Sequence, residues 1–145
     1  MPSTAHGLRA TYFMNVDLTG KTVSQIDPNM DFDWSDKPPL PGFPAAGWSV
    51  RWTGEIDPPA TGTYTIHSVS DDGMRVWIDG KLVIDDWTDH PPTDDYATVA
   101  LTAGKRATIK IEYFQSGGGA IAWLLWSTPV MPEQTIAKDR FYVGN

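Results

Sequence analysis

Residues 48–87 read WSVRWTGEIDPPATGTYTIHSVSDDGMRVWIDGKLVIDDW, a succession of short alternating runs broken by turn residues. Trp48, Val50 and Trp52 fall on one face of their run. Tyr64, Ile66 and Ser68 alternate with Thr65, His67 and Val69 in the next. Period-two alternation marks strands with one buried face. Asp79-Gly80, set between MRVWI and KLVIDD, is a two-residue hairpin signal. Frequent turns with no helical period predict an all-β chain, an antiparallel sandwich or barrel with little or no helix.

The rest of the chain extends the pattern. GLRATYF (7–13), KTVSQI (21–26), YATVALT (96–102), RATIKIEYF (106–114) and AIAWLLWS (120–127) read as further strands, with a last extended piece near RFYV. Residues 27–47 read as a long Pro-rich connection whose Phe32, Trp34 and Phe43 should hold it against the fold. HPPTDD (90–95) and QSGGG (115–119) read as loops. At 145 residues the chain suits one domain, 1–145, with no internal repeat. Its opening, MPSTAHGLRA, reads as an initiator Met placed before a domain excised from a larger extracellular protein.

The formal charge is −7, which repels phosphate backbones and anionic lipid. Nucleic acid and membrane insertion are therefore poor expectations, whereas a cation or a neutral sugar suits the balance. The absence of Cys excludes disulfides, thiolate metal sites and cysteine nucleophiles.

The set RWTGEIDPPATGTYTIHSVSDDGMRVWIDGKLVIDDW followed by LTAGKRATIKIEYFQSGGGAIAWLLWSTP resembles the PA-fourteen domain family, named after the N-terminal part of anthrax toxin protective antigen. GLRATYF and IAKDRFYV match the family's edges, so the likeness covers nearly the whole chain. The resemblance implies an antiparallel β-barrel or sandwich. In the family's adhesins it implies calcium-dependent sugar binding, with two adjacent Asp residues joined by a cis peptide holding the ion. Asp71 and Asp72 fall on that pair.

Calcium prefers six to eight hard oxygen ligands in irregular geometry. The second loop expected to complete the shell is QSGGGAIAW (115–123), whose glycines allow close approach of backbone. The resembling fungal adhesins also supply an Asn from this loop, and this chain has none there. Gln115, Ser116, or carbonyls of Gly117, Gly118 or Gly119 would stand in. Two vicinal hydroxyls of a glycan or monosaccharide would then finish the shell, with an aromatic ring covering the sugar's apolar face. Trp123 is the first choice for that ring, and Trp87 and His90 are weaker ones. The plain alternative stays open, because Asp-Asp-Gly is also a turn sequence in which Asp satisfies backbone groups and Gly supplies positive φ. Asp85-Asp86 reads as solvated edge residues or the start of a loop.

Catalysis is not expected. Glycosidase carboxylates stand at least about 5 Å apart across a cleft, unlike neighbours on one turn. His6, His67 and His90 are scattered, and no Gly-x-Ser-x-Gly occurs. The expected function is a monomeric, calcium-dependent carbohydrate-binding module of a secreted or surface adhesin or glycan-degrading enzyme. The alternative is a non-catalytic structural or interaction module beside a hydrolase or toxin domain, with a structural calcium or none.

Overall fold

A computed structural model describes residues 3–144. These residues form twelve strands, β1 (Leu8–Phe13), β2 (Thr22–Asp27), β3 (Asp31–Asp33), β4 (Trp48–Ile56), β5 (Gly62–Asp71), β6 (Met74–Ile78), β7 (Lys81–Asp86), β8 (Thr93–Leu101), β9 (Ala107–Gln115), β10 (Ile121–Thr128), β11 (Met131–Thr135) and β12 (Phe141–Tyr142). One 3-10 turn, Lys138–Arg140, precedes β12. A first sheet runs β2-β1-β4-β9-β6-β7, with β12 beside β1 on β4. A second runs β11-β10-β5-β8, with β3 beside β11 on β10. Every pairing is antiparallel, as short strands joined by tight turns require.

The alternation fixes which side chains meet between the sheets. Trp48, Val50 and Trp52 of β4 are fully buried, as are Ile66 of β5 and Leu124 of β10. Each such side chain contributes about 1.5–3 kcal/mol through removal from water. Asp27 is a carboxylate buried against this layer, and it is satisfied by the Tyr12 hydroxyl at 2.7 Å and Trp52 Nε1 at 2.8 Å. The hairpin is a two-residue turn with Asp79 and Gly80 both at positive φ, 50° and 79°, as Asp-Gly predicts.

Three elements depart from the sequence reading. The 27–47 connection contains β3, which pairs with Ile121–Trp123, because its aromatic residues need a sheet to lie on. Phe32 and Trp34 stack at 4.7 Å, and Trp34 meets Trp48 edge-on. β8 begins at Thr93, so Asp94 and Asp95 belong to a strand rather than a loop. β11 carries Pro and Glu in place of alternating apolar residues, which the sheet tolerates because β11 is an edge strand.

Candidate functional site

Three connections converge at the end of the sandwich where β5 stops. They are the β5–β6 turn (72–73), the β7–β8 loop (87–92) and the β9–β10 loop (116–120). The Asp71–Asp72 peptide at their centre is cis. Asp71 ends β5 opposite Ile121 of β10. Asp72 is 5% exposed. Its Oδ2 accepts from the Ser116 backbone N–H at 2.9 Å and lies 3.2 Å from the Ser116 hydroxyl oxygen. Its Oδ1 accepts from the His90 backbone N–H at 3.3 Å. Asp72 therefore ties all three connections together, and Asp71 is the less enclosed carboxylate of the pair.

Gly73 completes the motif for a reason other than the positive φ expected of a turn. A Cβ there would fall 2.3 Å from Phe114 Cε1 and 2.9 Å from the Asp86 carbonyl oxygen. Only a residue without a side chain lets the turn lie that close to β9 and β7. The positive φ in this region belongs instead to Gly118, at 75°.

The β9–β10 loop is exposed over Ser116–Gly119. A Cβ on Gly119 would come within 3.6 Å of Asp71 Oδ2, so the loop backbone runs beside that carboxylate. Gln115 is fully buried and braces the loop, donating from Nε2 to the Gly118 carbonyl at 2.8 Å. Its backbone carbonyl accepts from Gly47 N–H at 2.7 Å, and its Oε1 is buried without a hydrogen-bond partner. Gly117 has open space around it.

The aromatic candidates lie in different settings. Trp123 is half-buried on the outward face of β10, opposite Val69 and Asp31. It stands two residues from Ile121, the partner of Asp71, on the side of the sheet that Asp71 and Val69 share. Trp87 is held by its neighbours, with the Arg75 guanidinium 3.9 Å above its ring and Phe114 at 4.8 Å. Arg75 is in turn fixed by Glu112 at 2.8 Å. The His90 ring engages other groups, with Nδ1 2.7 Å from the Pro91 carbonyl and Nε2 3.1 Å from Asp86 Oδ2.

The sequence reading passed over two residues at this end and read a third, Asp86, only as a solvated edge or loop residue. Asp89 accepts from the Ser116 hydroxyl at 2.8 Å and adds an exposed carboxylate to the rim. Its position in DDWTDH was the available signal. The Tyr113 hydroxyl donates to the Asp71 carbonyl, beneath Trp34. Asp86, read as solvated, is half-buried against His90.

Burial, together with the charge and hydrogen bonding of Asp72, raises the Asp71 carboxyl from its ordinary 3.8 to about 6, against a smaller opposing effect of His90. Burial, and then the charges of Asp72 and Asp71, push the Tyr113 hydroxyl far up. Two like charges meet in a partly dry corner, and the donors around them are oxygens. That donor set fits a hard divalent cation such as calcium, with Asp71, Asp72 and carbonyls of the 116–119 loop as the atoms that would hold it.

The raised Asp71 value has a testable sign. A folded-state pKa above the unfolded one contributes stability that is complete below about 3.8 and lost as pH rises through about 6. In metal-free protein, Asp71→Asn should flatten the dependence of melting temperature on pH across that window. Any cation held by Asp71 should bind more weakly as pH drops through about 6. A melting profile indistinguishable from that of Asp71→Asn would show that the Asp71 carboxyl is not raised in the folded domain.

The PA14 domain family model matches residues 4–140, with the Asp pair and the glycine loop inside the match. The chain belongs to the PA14 domain family. This PA14 domain is 39% identical over 139 residues to the anti-sigma-I factor RsgI3 of Acetivibrio thermocellus, covering 96% of the chain and 22% of that protein. It superposes on a solved anti-sigma factor domain-containing protein with TM-score 0.94 at 38% identity, over 97% of the chain and 49% of the other. It also matches the PA14 sugar-binding domain of an RTX adhesin, with TM-score 0.76 and 14% identity, over 97% and 100%. The chain thus spans about a fifth of RsgI3 and about half of the first solved relative. The expected all-β sandwich is confirmed. The expected parents were an adhesin or a glycan-degrading enzyme, whereas these two relatives, at 39% and 38% identity, are named as an anti-sigma factor and an anti-sigma factor domain-containing protein.

Proposed function

We propose that this PA14 domain is a non-catalytic, calcium-dependent carbohydrate-binding module that acts outside the cell or at its surface. The carrying observation is the meeting of the Asp71 and Asp72 carboxylates beside the exposed 116–119 backbone. Asp72, fixed by Ser116 and His90, would present an oriented oxygen pair, and Tyr113 would hold the Asp71 carbonyl. Bound calcium would supply an oxygen-seeking centre able to take two vicinal hydroxyls. Gly117, Gly118 and Gly119 keep that side free of side chains, and Trp123 would cover the apolar face of a sugar ring. The sugar-binding PA14 domain of the RTX adhesin supports this reading at the level of fold. Relatives named as anti-sigma factors suggest that the glycan serves as a signal read by a larger protein rather than as a point of adhesion.

The test is a calorimetric panel of monosaccharides against their deoxy analogues in the presence of calcium. A binding sugar should lose at least tenfold in affinity when one hydroxyl of the vicinal pair is removed. Equal binding of the deoxy analogue would sink the diol mechanism. Trp123→Ala should weaken sugar binding by about tenfold, in line with about 1–1.5 kcal/mol for an aromatic contact, and leave calcium affinity unchanged. An unaltered sugar affinity would reduce Trp123 to a packing residue.

One observation favours a second reading. The Asp72 oxygens are already hydrogen-bonded by Ser116 and His90. That arrangement alone would brace the loops of a structural or protein-interaction module, and such a module would show no sugar heat at any calcium concentration.

A further inference from the structure

The outward face of the second sheet gathers three metal-ligand side chains from three strands, away from the Asp pair. His67 stands on β5, Asp94 on β8 and Glu133 on β11. His67 pairs with Tyr96, which places Asp94 one diagonal step along β8. Glu133 reaches over β10 from the edge of the sheet. His67 Nδ1 lies 3.7 Å from Asp94 Oδ1 and 3.5 Å from Glu133 Oε1, and all three ligand atoms fall within 4.8 Å of one another.

His67 lies within ion-pair reach of both carboxylates but does not close a hydrogen bond to either. N–H···O hydrogen bonds run at about 2.7–3.2 Å, and both separations are longer. Nδ1 is shut off from water and has no hydrogen-bond partner. Ligand atoms about 2.0–2.2 Å from a shared tetrahedral ion stand roughly 3.3–3.6 Å apart, close to the two distances measured from Nδ1. The other ring nitrogen, Nε2, faces the Ser127 hydroxyl at 3.5 Å, longer than an ordinary hydrogen bond.

We propose that His67 Nδ1, Asp94 Oδ1 and Glu133 Oε1 form a second metal site, for a divalent transition metal of the zinc class. An imidazole nitrogen selects that class over calcium, and two carboxylates balance the ion's charge. Asp94 and Glu133 are 60% and 48% exposed, so the fourth coordination position faces solvent. The ion would tie edge strand β11 across β10 to β5 and β8. His67 and Asp71 are four residues apart on β5, roughly 13 Å at the rise of a strand, so the two sites fill independently.

The experiment titrates zinc chloride into the calcium-saturated domain by calorimetry and repeats it with cobalt as a spectroscopic probe. The expected result is one zinc per domain without release of calcium, together with visible cobalt bands of tetrahedral type. His67→Ala should abolish those bands, and both His67→Ala and Glu133→Gln should weaken zinc binding at least tenfold. These side chains point outward, and an unchanged circular dichroism spectrum verifies that the variants fold. Absence of stoichiometric zinc binding overturns the proposal. So does zinc that binds His67→Ala as tightly as the unaltered domain, or that displaces calcium from Asp71 and Asp72.

Discussion

Asp72→Ala is expected to weaken calcium binding by at least a hundredfold and to abolish glycan binding with it. The substitution removes a carboxylate that would hold the ion and that accepts hydrogen bonds from Ser116 and His90. Those donors lie on the two loops that frame the site, so the loss reaches beyond one ligand. Bonds to a buried charge are worth about 1.5–3 kcal/mol, and an unfolding free energy lower by about 2–3 kcal/mol should follow. The sandwich itself should survive, because its packed layer is made by residues such as Trp48, Trp52, Ile66 and Leu124. Asp72→Asn separates the two roles. It keeps an oxygen to accept from Ser116 but loses the charge, so calcium affinity should fall nearly as far while stability falls less. Calorimetry and urea denaturation read both quantities. Undiminished calcium binding in Asp72→Ala would remove Asp72 from the site.

Gly73→Ala should be the most destabilising single methyl in this region. Its Cβ would meet Phe114 Cε1 at 2.3 Å and the Asp86 carbonyl at 2.9 Å, one a packed ring and the other strand backbone. Neither can withdraw cheaply, and overpacking of this kind costs about 1–3 kcal/mol. Movement of Phe114 would also disturb Trp87, which packs on it, and the turn that carries Asp72. Urea unfolding should show the loss, and calcium affinity should fall at least tenfold. A Gly73→Ala domain of unchanged stability would mean that the β5–β6 turn has room to shift. Gly117→Ala is the natural comparison, since nothing lies within 4 Å of its Cβ position.

The strands from Trp48 to Asp86 were readable because their side chains alternate between a dry layer and water, and because Asp79-Gly80 permits only a tight turn. β3 and β11 were not readable. They are short edge strands held by pairing with β10 rather than by their own pattern. The prominence of Asp71-Asp72 in the sequence came from two like charges beside a glycine and from family likeness. The work of Gly73 depends on where Phe114 lies, a contact 41 positions away in the chain. Tyr113 and Asp89 were hidden for the same reason, since one looked like a core residue of an alternating strand and the other like a solvated loop acid. Sequence alternation correctly placed Trp123 on a strand beside the glycine loop, but only sheet register sets it on the side of the sheet that Asp71 shares.

The most direct measurement follows one glycan through three calorimetric titrations of the same sample: with calcium, after EGTA, and after calcium is restored. The account predicts binding, then loss of at least a hundredfold in affinity, then full recovery, with Asp72→Ala silent throughout. Glycan binding that persists unchanged in EGTA would contradict it, because recognition would then not pass through an ion held by Asp71 and Asp72.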